Sequence, residues 1–138
     1  MCGISGMFGR GNSPLIQAML ATIVHRGPDD GYFVSQPDFA LGARRLSIVD
    51  VAGGRQPLTN ENGTIWAAQN GELYNFSQAK PRLVERGHRF QTNCDTELLP
   101  HLYEDYGPDL AKHIDGMFAV AVWDDVNKYG KIYESQAE

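Results

Sequence analysis

The chain has 138 residues, of which 42% are hydrophobic, and it carries a formal net charge of −5. This length fits one globular domain with a sizeable core, and the acidic balance argues against binding to nucleic acid or to an anionic membrane surface. No signal peptide and no apolar run long enough to span a bilayer is present, so we expect a cytoplasmic protein with reduced cysteines, Cys2 and Cys94.

The first residues combine a nucleophile with a base. Cys2 follows the initiator methionine, and its small side chain permits removal of Met1. Cys2 would then carry a free α-amine, which titrates near ~7.7–8.0, beside a thiol that titrates near ~8.5, so the amine can accept the thiol's proton. Small and apolar residues alternate from Gly3 to Gly9, which predicts a buried strand. The alternative is a chance cysteine on an ordinary first strand.

An amphipathic helix and a pair of strands follow. The helix is predicted from about Pro14 to Val24, with Ser13 as its N-cap. Strands over Tyr32–Ser35 and Phe39–Ile48 are predicted to form an antiparallel pair. Arg45 interrupts the second strand. Such a charge usually lies on a solvated face, but the planar guanidinium is also the best receptor for a carboxylate.

The middle of the chain contains a strand that runs into a polar turn. Thr64–Gln69 is apolar and precedes Asn70 and Gly71, the favoured pair for a type I′ hairpin turn, although no clear return strand follows. A turn of this composition presents an amide side chain and a backbone N–H together, as an oxyanion hole does. Ser77 is predicted to cap a short helix that ends near Arg86.

The second half is predicted to alternate strands and helices. His88–Thr92 is predicted to be a strand, and Asp95 is an N-cap candidate for a helix that reaches Tyr106. Met117–Trp123 is almost continuously apolar, which predicts a strand buried on both faces, and Tyr129–Tyr133 is predicted to pair back with it. The spacing of the histidines is not that of a metal site, so none is expected at His25, His88, His101 or His113.

A series of short motifs runs through the chain in a fixed order. They are Met1–Gly6, His25–Asp30, Arg45–Asp50, Gln56–Pro57, Asn70–Asn75, Gly87–Phe90, Asp95–Glu97 and Asp115–Ala119. Over roughly residues 1 to 125 these motifs resemble the glutaminase domain of glutamine-hydrolysing asparagine synthetase, a class II glutamine amidotransferase of the N-terminal-nucleophile hydrolases. The resemblance implies an α+β fold, a four-layer αββα sandwich of two antiparallel sheets that here lacks its C-terminal strands.

The resemblance also implies a set of site residues. Cys2 would attack the side-chain amide of glutamine and form a γ-glutamyl thioester, while the Asn70 side chain and the Gly71 N–H would form the oxyanion hole. The substrate would be held by Arg45 at its α-carboxylate, by Glu72 and Asp95 at its α-ammonium, and by backbone groups of Leu46, Ile48 and Val49. No metal and no cofactor is expected in this chain, since ATP and Mg²⁺ belong to a synthetase domain that the sequence does not contain.

The last residues depart from the family pattern. Lys128–Ser135 stands where the family has a longer partner strand, and the strands that follow in the family are missing. We therefore interpret residues 1–138 as a single amidotransferase domain that is short at its C-terminal end. Its expected partners are glutamine, and a synthetase domain or a second copy at the truncated sheet edge. The alternatives are a catalytically silent interaction module or fragment, and a glutaminase domain that serves another ammonia acceptor.

Overall fold

The computed structural model describes residues 2–45 and 55–135. The strands are β1 (Gly3–Phe8), β2 (Asp30–Gln36), β3 (Phe39–Arg45), β4 (Leu58–Thr59), β5 (Ile65–Leu73), β6 (Gly116–Asp124) and β7 (Tyr129–Glu134). The helices are α1 (Ser13–Ala21), α2 (Phe76–Glu85) and α3 (Leu98–Tyr106), with 3-10 segments at Val24–Arg26, Asp95–Glu97 and Gly107–His113. Within the two described ranges, none of the helices has both the length and the apolar character needed to cross a bilayer.

The strands form two antiparallel sheets. The first sheet has the order β1-β3-β2 and the second has the order β4-β5-β6-β7. The pairing of β5 with β6 extends over the whole of β5, from Ile65 opposite Asp124 to Leu73 opposite Gly116. This pair is therefore the rigid centre of the second sheet.

Three apolar clusters pack between the four layers of the fold, which are α1, the first sheet, the second sheet, and helices α2 and α3. Between α1 and the first sheet lie Ile16, Leu20 and Ala40. Between the two sheets lie Phe39, Leu41, Ala68, Ala121 and Trp123. Between the second sheet and helices α2 and α3 lie residues that include Ala67, Leu83, Leu98, Leu102, Val120 and Val122. The arrangement is the predicted αββα sandwich, and the α+β fold class is confirmed.

Aromatic rings close one end of the space between the sheets. Trp123 stacks on Phe39 with ring centroids 5.3 Å apart and on Phe8 with centroids 5.6 Å apart. The indole Nε1 of Trp123 donates a hydrogen bond to Asp125 Oδ1 at 3.1 Å. Because rings fill this end, the opposite end of the same layer is where a ligand can enter between the sheets.

A buried polar contact shapes the turn between β6 and β7. The Tyr103 hydroxyl donates to Asp124 Oδ2 at 2.9 Å, and Asp124 Oδ1 accepts from the backbone N–H groups of Val126 and Asn127. Burial, together with the hydrogen bond to Asp124, raises the pKa of Tyr103 above its ordinary value, so the hydroxyl stays protonated as a donor. The contact ties α3 to the turn that returns the chain into β7.

Several predicted elements are confirmed with shifted limits. The first strand, the first helix, the strand pair and the return of Tyr129–Tyr133 to the preceding strand are all present. The N-cap of α1 is Asn12 rather than Ser13, because the Asn12 side chain accepts from Leu15 N–H at 2.9 Å. The helix ends at Ala21, short of the predicted Val24. The part of the predicted strand beyond Arg45 lies outside the described residues.

Further predictions from local pattern are wrong. Ser77 does not cap α2, because the helix begins at Phe76 with Asn75 at its N-cap position. His88–Thr92 is not a strand, because its backbone pairs with neither sheet. Asn70 and Gly71 do not form a turn, because β5 continues through them to Leu73. The Met117 end of β6 is exposed, since that end of the strand lies beyond the aromatic core.

We expect the edge of the second sheet to drive self-association. Among the described residues β7 is one of the two edge strands of that sheet, and Ile132 on it is 64% exposed. An edge strand with an apolar side chain recruits other strands. The wild-type chain should therefore sediment as oligomers at micromolar concentration, and Ile132→Lys should shift it toward monomer. Val126→Lys, at a residue that is 68% exposed in the neighbouring turn, should behave as wild type. A monomeric wild-type chain would contradict this prediction.

Candidate active site

Strand alternation places Cys2 and Arg45 at the same end of the first sheet. β1 lies antiparallel to β3 with Gly3 opposite Arg44, so Cys2 and Arg45 end neighbouring strands. Side chains two residues apart share a face. Ile4 and Leu41 both contact the cluster between the sheets, so Cys2 and Arg45 continue that face. Cys2 is half-buried and Arg45 is 7% exposed.

The second sheet brings Asn70 and Glu72 to the same place. Ala68 of β5 belongs to the cluster between the sheets, so Asn70 and Glu72 extend its face beyond the core. The backbone N–H of Cys2 donates to Asn70 Oδ1 at 3.3 Å. Since Oδ1 accepts this hydrogen bond, the Nδ2 amino group is the end of Asn70 that can donate to a ligand.

Arg26 holds the other side of the Cys2 backbone. Its Nε donates to the Cys2 carbonyl oxygen at 3.2 Å. The loop that carries Arg26 is itself fixed by Arg44, whose Nε donates to the Gly27 carbonyl at 2.9 Å. Cys2 is thus anchored at both its N–H and its carbonyl, which fixes the position of its thiol relative to β5.

Gly71 occupies a position that only glycine fits. Its φ of +142° lies in the region that residues with a side chain rarely adopt. A Cβ added there would overlap the Met117 carbonyl and lie 2.6 Å from the Phe118 Cα of β6. The glycine therefore allows β5 and β6 to approach closely at the point where Asn70 faces Cys2. The sequence predicted a turn at this glycine. In the structure the residue lies inside β5, where it allows close pairing with β6.

A cavity of about 620 Å³ opens at this end of the sandwich. Four of the predicted site residues line it, namely Cys2, Asn70, Gly71 and Glu72. The other lining residues lie just after β5, at the start of β6, and at and just after the end of β7. They are Tyr74, Met117, Phe118, Ala119, Glu134 and Ser135. Sequence reasoning missed this second group, because only the pairing of β5, β6 and β7 places it opposite Cys2.

The remaining predicted binding residues that the structure describes, Arg45 and Asp95, do not line this cavity. Asp95 Oδ2 accepts a hydrogen bond from Leu73 N–H at 2.7 Å, directly after Glu72. Arg45 lines a second, smaller cavity together with Asp30, Gly31, Tyr32, Ala43, Arg55 and Gln56. Leu46, Ile48 and Val49 lie outside the described residues.

The second cysteine has a different environment from Cys2. Burial raises the pKa of the Cys94 thiol, against the lowering effect of hydrogen bonds from Thr96 and of the positive charge of Arg45. The Cys94 Sγ lies 3.9 Å from Asp95 Oδ1. A thiol with a raised pKa is a poor nucleophile at neutral pH, so this environment does not favour Cys94 as a nucleophile.

A buried polar network stabilises β5 on the face that packs on the helices. Gln69 N–H donates to Gln56 Oε1 at 2.6 Å, and the side-chain amides of Gln69 and Gln56 both donate to Thr96 Oγ1, at 3.0 and 3.1 Å. Sequence reasoning missed this network, although a glutamine inside an apolar strand is a signal for one. It ties the strand just before Asn70 to the segment that carries Asp95.

Comparison with known proteins gives a consistent result. The family model described as a glutamine amidotransferase domain matches residues 1–133. Glutamine-hydrolysing asparagine synthetase 1 of Bacillus subtilis is 42% identical over 131 residues, covering 89% of this chain and 21% of that protein. The corresponding synthetase 1 of Arabidopsis thaliana is 36% identical over 129 residues, covering 90% of this chain and 22% of that protein. The chain thus spans about a fifth of the length of these curated relatives.

A solved structure shares the fold. Glutamine phosphoribosylpyrophosphate amidotransferase from B. subtilis, complexed with ADP and GMP, superimposes with a TM-score of 0.71 at 22% identity. The match covers 91% of this chain and 35% of that chain. At this identity the likeness supports the two-sheet architecture.

Replacement of Gly71 tests whether the close approach of β5 and β6 requires glycine. Gly71→Ala should lower the free energy of unfolding by more than about 3 kcal/mol, because backbone strain of about 1–3 kcal/mol adds to the overlap with β6. Gly63→Ala is the matched control. Its φ is also positive, at +68°, but no atom lies within 4 Å of the added Cβ, so it should cost only about 1–2 kcal/mol. Equal losses in urea unfolding would show that the approach of β6 does not require glycine.

Proposed function

The chain belongs to the family of glutamine amidotransferase domains, and from this premise we propose that it hydrolyses glutamine to glutamate and ammonia at Cys2. The observation that carries the proposal is the 3.3 Å contact between the Cys2 nitrogen and Asn70 Oδ1. Cys2 and Asn70, the proposed nucleophile and the proposed oxyanion donor, are neighbours that line the same cavity.

The chemistry follows from groups on Cys2 itself. After removal of Met1, the α-amine accepts the thiol proton and the thiolate attacks the carbonyl carbon of the substrate's side-chain amide. The oxyanion of the tetrahedral intermediate accepts hydrogen bonds from Asn70 Nδ2 and Gly71 N–H. The carbon–nitrogen bond then breaks, the departing nitrogen takes the proton from the α-amine, and ammonia leaves a γ-glutamyl thioester on Cys2. The α-amine then takes a proton from water as the water oxygen attacks the thioester carbonyl carbon. The carbon–sulfur bond breaks, glutamate leaves, and the thiolate regains a proton from the α-amine.

Charge complementarity supports glutamine as the substrate. We assign the α-carboxylate to Arg45, because a guanidinium binds a carboxylate through two parallel hydrogen bonds. We assign the α-ammonium to Glu72 and Asp95. These two carboxylates are near one another, because Glu72 precedes Leu73 in β5 and the Leu73 N–H donates to the Asp95 carboxylate. The backbone groups of Leu46, Ile48 and Val49 complete the proposed pocket.

The acceptor of the ammonia is proposed from the relatives. They are named glutamine-hydrolysing asparagine synthetases. We propose that the ammonia passes to an ATP-dependent synthetase unit that makes asparagine, and that the reaction takes place in the cytoplasm, where Cys2 stays reduced. ATP and Mg²⁺ act in that unit, and this half-reaction needs neither.

Replacement of the two cysteines tests the nucleophile. Cys2→Ala should abolish ammonia release from glutamine but leave glutamine binding in calorimetry largely intact, because recognition is assigned to other residues. Cys94→Ser is the matched control and should retain turnover. An electrophilic glutamine analogue should label Cys2 and spare Cys94. Intact mass must first show that Met1 is absent, and a folded Met1-free chain without turnover would favour a silent interaction module.

Replacement of Asn70 tests the oxyanion hole. Asn70→Ala should lower kcat by about 10²–10³ with little change in KM, since this donor acts mainly on the charge that develops in the transition state. Asn62→Ala, at an exposed asparagine in the turn between β4 and β5, is the control and should leave both constants unchanged. A rise in KM at constant kcat would instead assign Asn70 to ground-state binding.

A further inference from the structure

Four side chains of the types that can bind a metal ion converge on the helix side of the second sheet. They are Glu61 from the turn between β4 and β5, His88 from the segment after α2, and His101 and Glu104 from α3. The His101 side chain is fully buried and that of His88 is 7% exposed. The two carboxylates are only partly exposed, so the group is accessible from one side. Cys2 lies on the opposite face of this sheet.

The ligand atoms of this Glu61–His88–His101–Glu104 cluster all lie within 4.8 Å of one another, which is close enough for them to share one ion. The two Nδ1 atoms lie 3.2 Å apart. His88 Nδ1 lies 3.3 Å from Glu104 Oε2 and 3.5 Å from Glu61 Oε1, while His101 Nδ1 lies 3.2 Å from Glu61 Oε2 and 3.9 Å from Glu104 Oε2. Ligand atoms at ~2.0–2.1 Å from a tetrahedral Zn²⁺ lie about 3.3 Å apart.

The outer nitrogen of each imidazole contacts a further carboxylate. His88 Nε2 lies 3.0 Å from Asp105 Oδ1, and His101 Nε2 lies 3.3 Å from Glu97 Oε2. A histidine that donates its Nε2–H to a carboxylate presents the Nδ1 lone pair on the other side of the ring. This carboxylate–histidine arrangement is the one that orients histidine ligands at metal sites.

The outer carboxylates are themselves held in place. Arg86 Nε lies 3.2 Å from Asp105 Oδ2. Glu97 accepts hydrogen bonds of 2.8 Å from the backbone N–H groups of Gln91 and Thr92. Both imidazole rings are therefore fixed in the orientation that turns Nδ1 inward.

A cation at the centre of the cluster would satisfy the groups that face inward. When both imidazoles are neutral with their Nε2 protons directed outward, these groups are two lone pairs on nitrogen and two carboxylates, all of which are acceptors. Buried acceptors that face one another without a donor are strongly unfavourable. We propose that His88 Nδ1, His101 Nδ1 and one oxygen each from Glu61 and Glu104 bind a single Zn²⁺ ion. Four protein ligands leave no open position, so the site is structural.

This proposal differs from the expectation drawn from histidine spacing. The proposed ligands come from three separate segments, and only His101 and Glu104 are close in sequence. No local sequence motif therefore indicates the site. The ion would join the turn before β5 to α3. Through His101 and Glu97 it would also stabilise the segment that carries Asp95 next to the cavity of Cys2.

Metal binding to the intact chain tests the proposal. Chain stripped with a chelator and titrated with Zn²⁺ should bind one ion per chain, and its Tm should rise on binding. Co²⁺ in place of Zn²⁺ should give the intense visible absorption of a tetrahedral ion. Glu104→Gln keeps the shape of a partly exposed side chain but removes a ligand, and it should weaken Zn²⁺ binding by at least about tenfold. Glu61→Gln should do the same.

The control is Glu85→Gln, at an exposed glutamate on α2, which should bind Zn²⁺ as tightly as wild type. The proposal is overturned if the stripped wild-type chain is folded by circular dichroism and binds no Zn²⁺ at micromolar concentration. It is equally overturned if both ligand variants bind as tightly as wild type. None of these readouts depends on glutamine hydrolysis.

Discussion

The candidate site depends on the close approach of β5 and β6 at Gly71. Because this residue has no side chain and a positive φ, the two strands stay paired from the aromatic core to the edge of the cavity. Asn70 therefore projects from a rigid strand rather than from a loop. A hydrogen-bond donor on a rigid strand is already oriented before substrate binds. An oxyanion hole derives its catalytic effect from this preorganisation.

Polar groups before and after Asn70 reinforce that strand. On the helix side, Thr96 accepts from the side chains of Gln56 and Gln69, so the strand is held just before Asn70. Beyond Asn70, the Asp95 carboxylate holds Leu73 N–H. One short segment, Asp95–Glu97, thus contacts β5 at two points and extends through Glu97 to the buried His101. A change in the proposed metal cluster would reach the cavity by this route.

The two proposed sites place different demands on the same fold. The cavity at Cys2 needs open space at the end of the two sheets, where apolar packing stops and polar side chains replace the core. The histidine cluster needs a sheltered position behind the second sheet, where both imidazole rings are buried and the two carboxylates remain partly exposed. The four-layer sandwich provides both, since one face of β5 lines the layer between the sheets and the other face packs on the helices.

The sequence by itself determined the family, the fold class and the nucleophile candidate. Cys2 beside the initiator methionine, the alternation in the strands and the motif order are local features, and local features are readable from residue order. Tertiary structure alone decided that Asn70 and Gly71 lie inside a strand, because an Asn-Gly pair favours a turn until β6 pairs with it. It also decided which residues complete the cavity and that His88 and His101 meet Glu61 and Glu104. These contacts join segments that are distant in sequence, and only the packing of strands against helices brings such segments together.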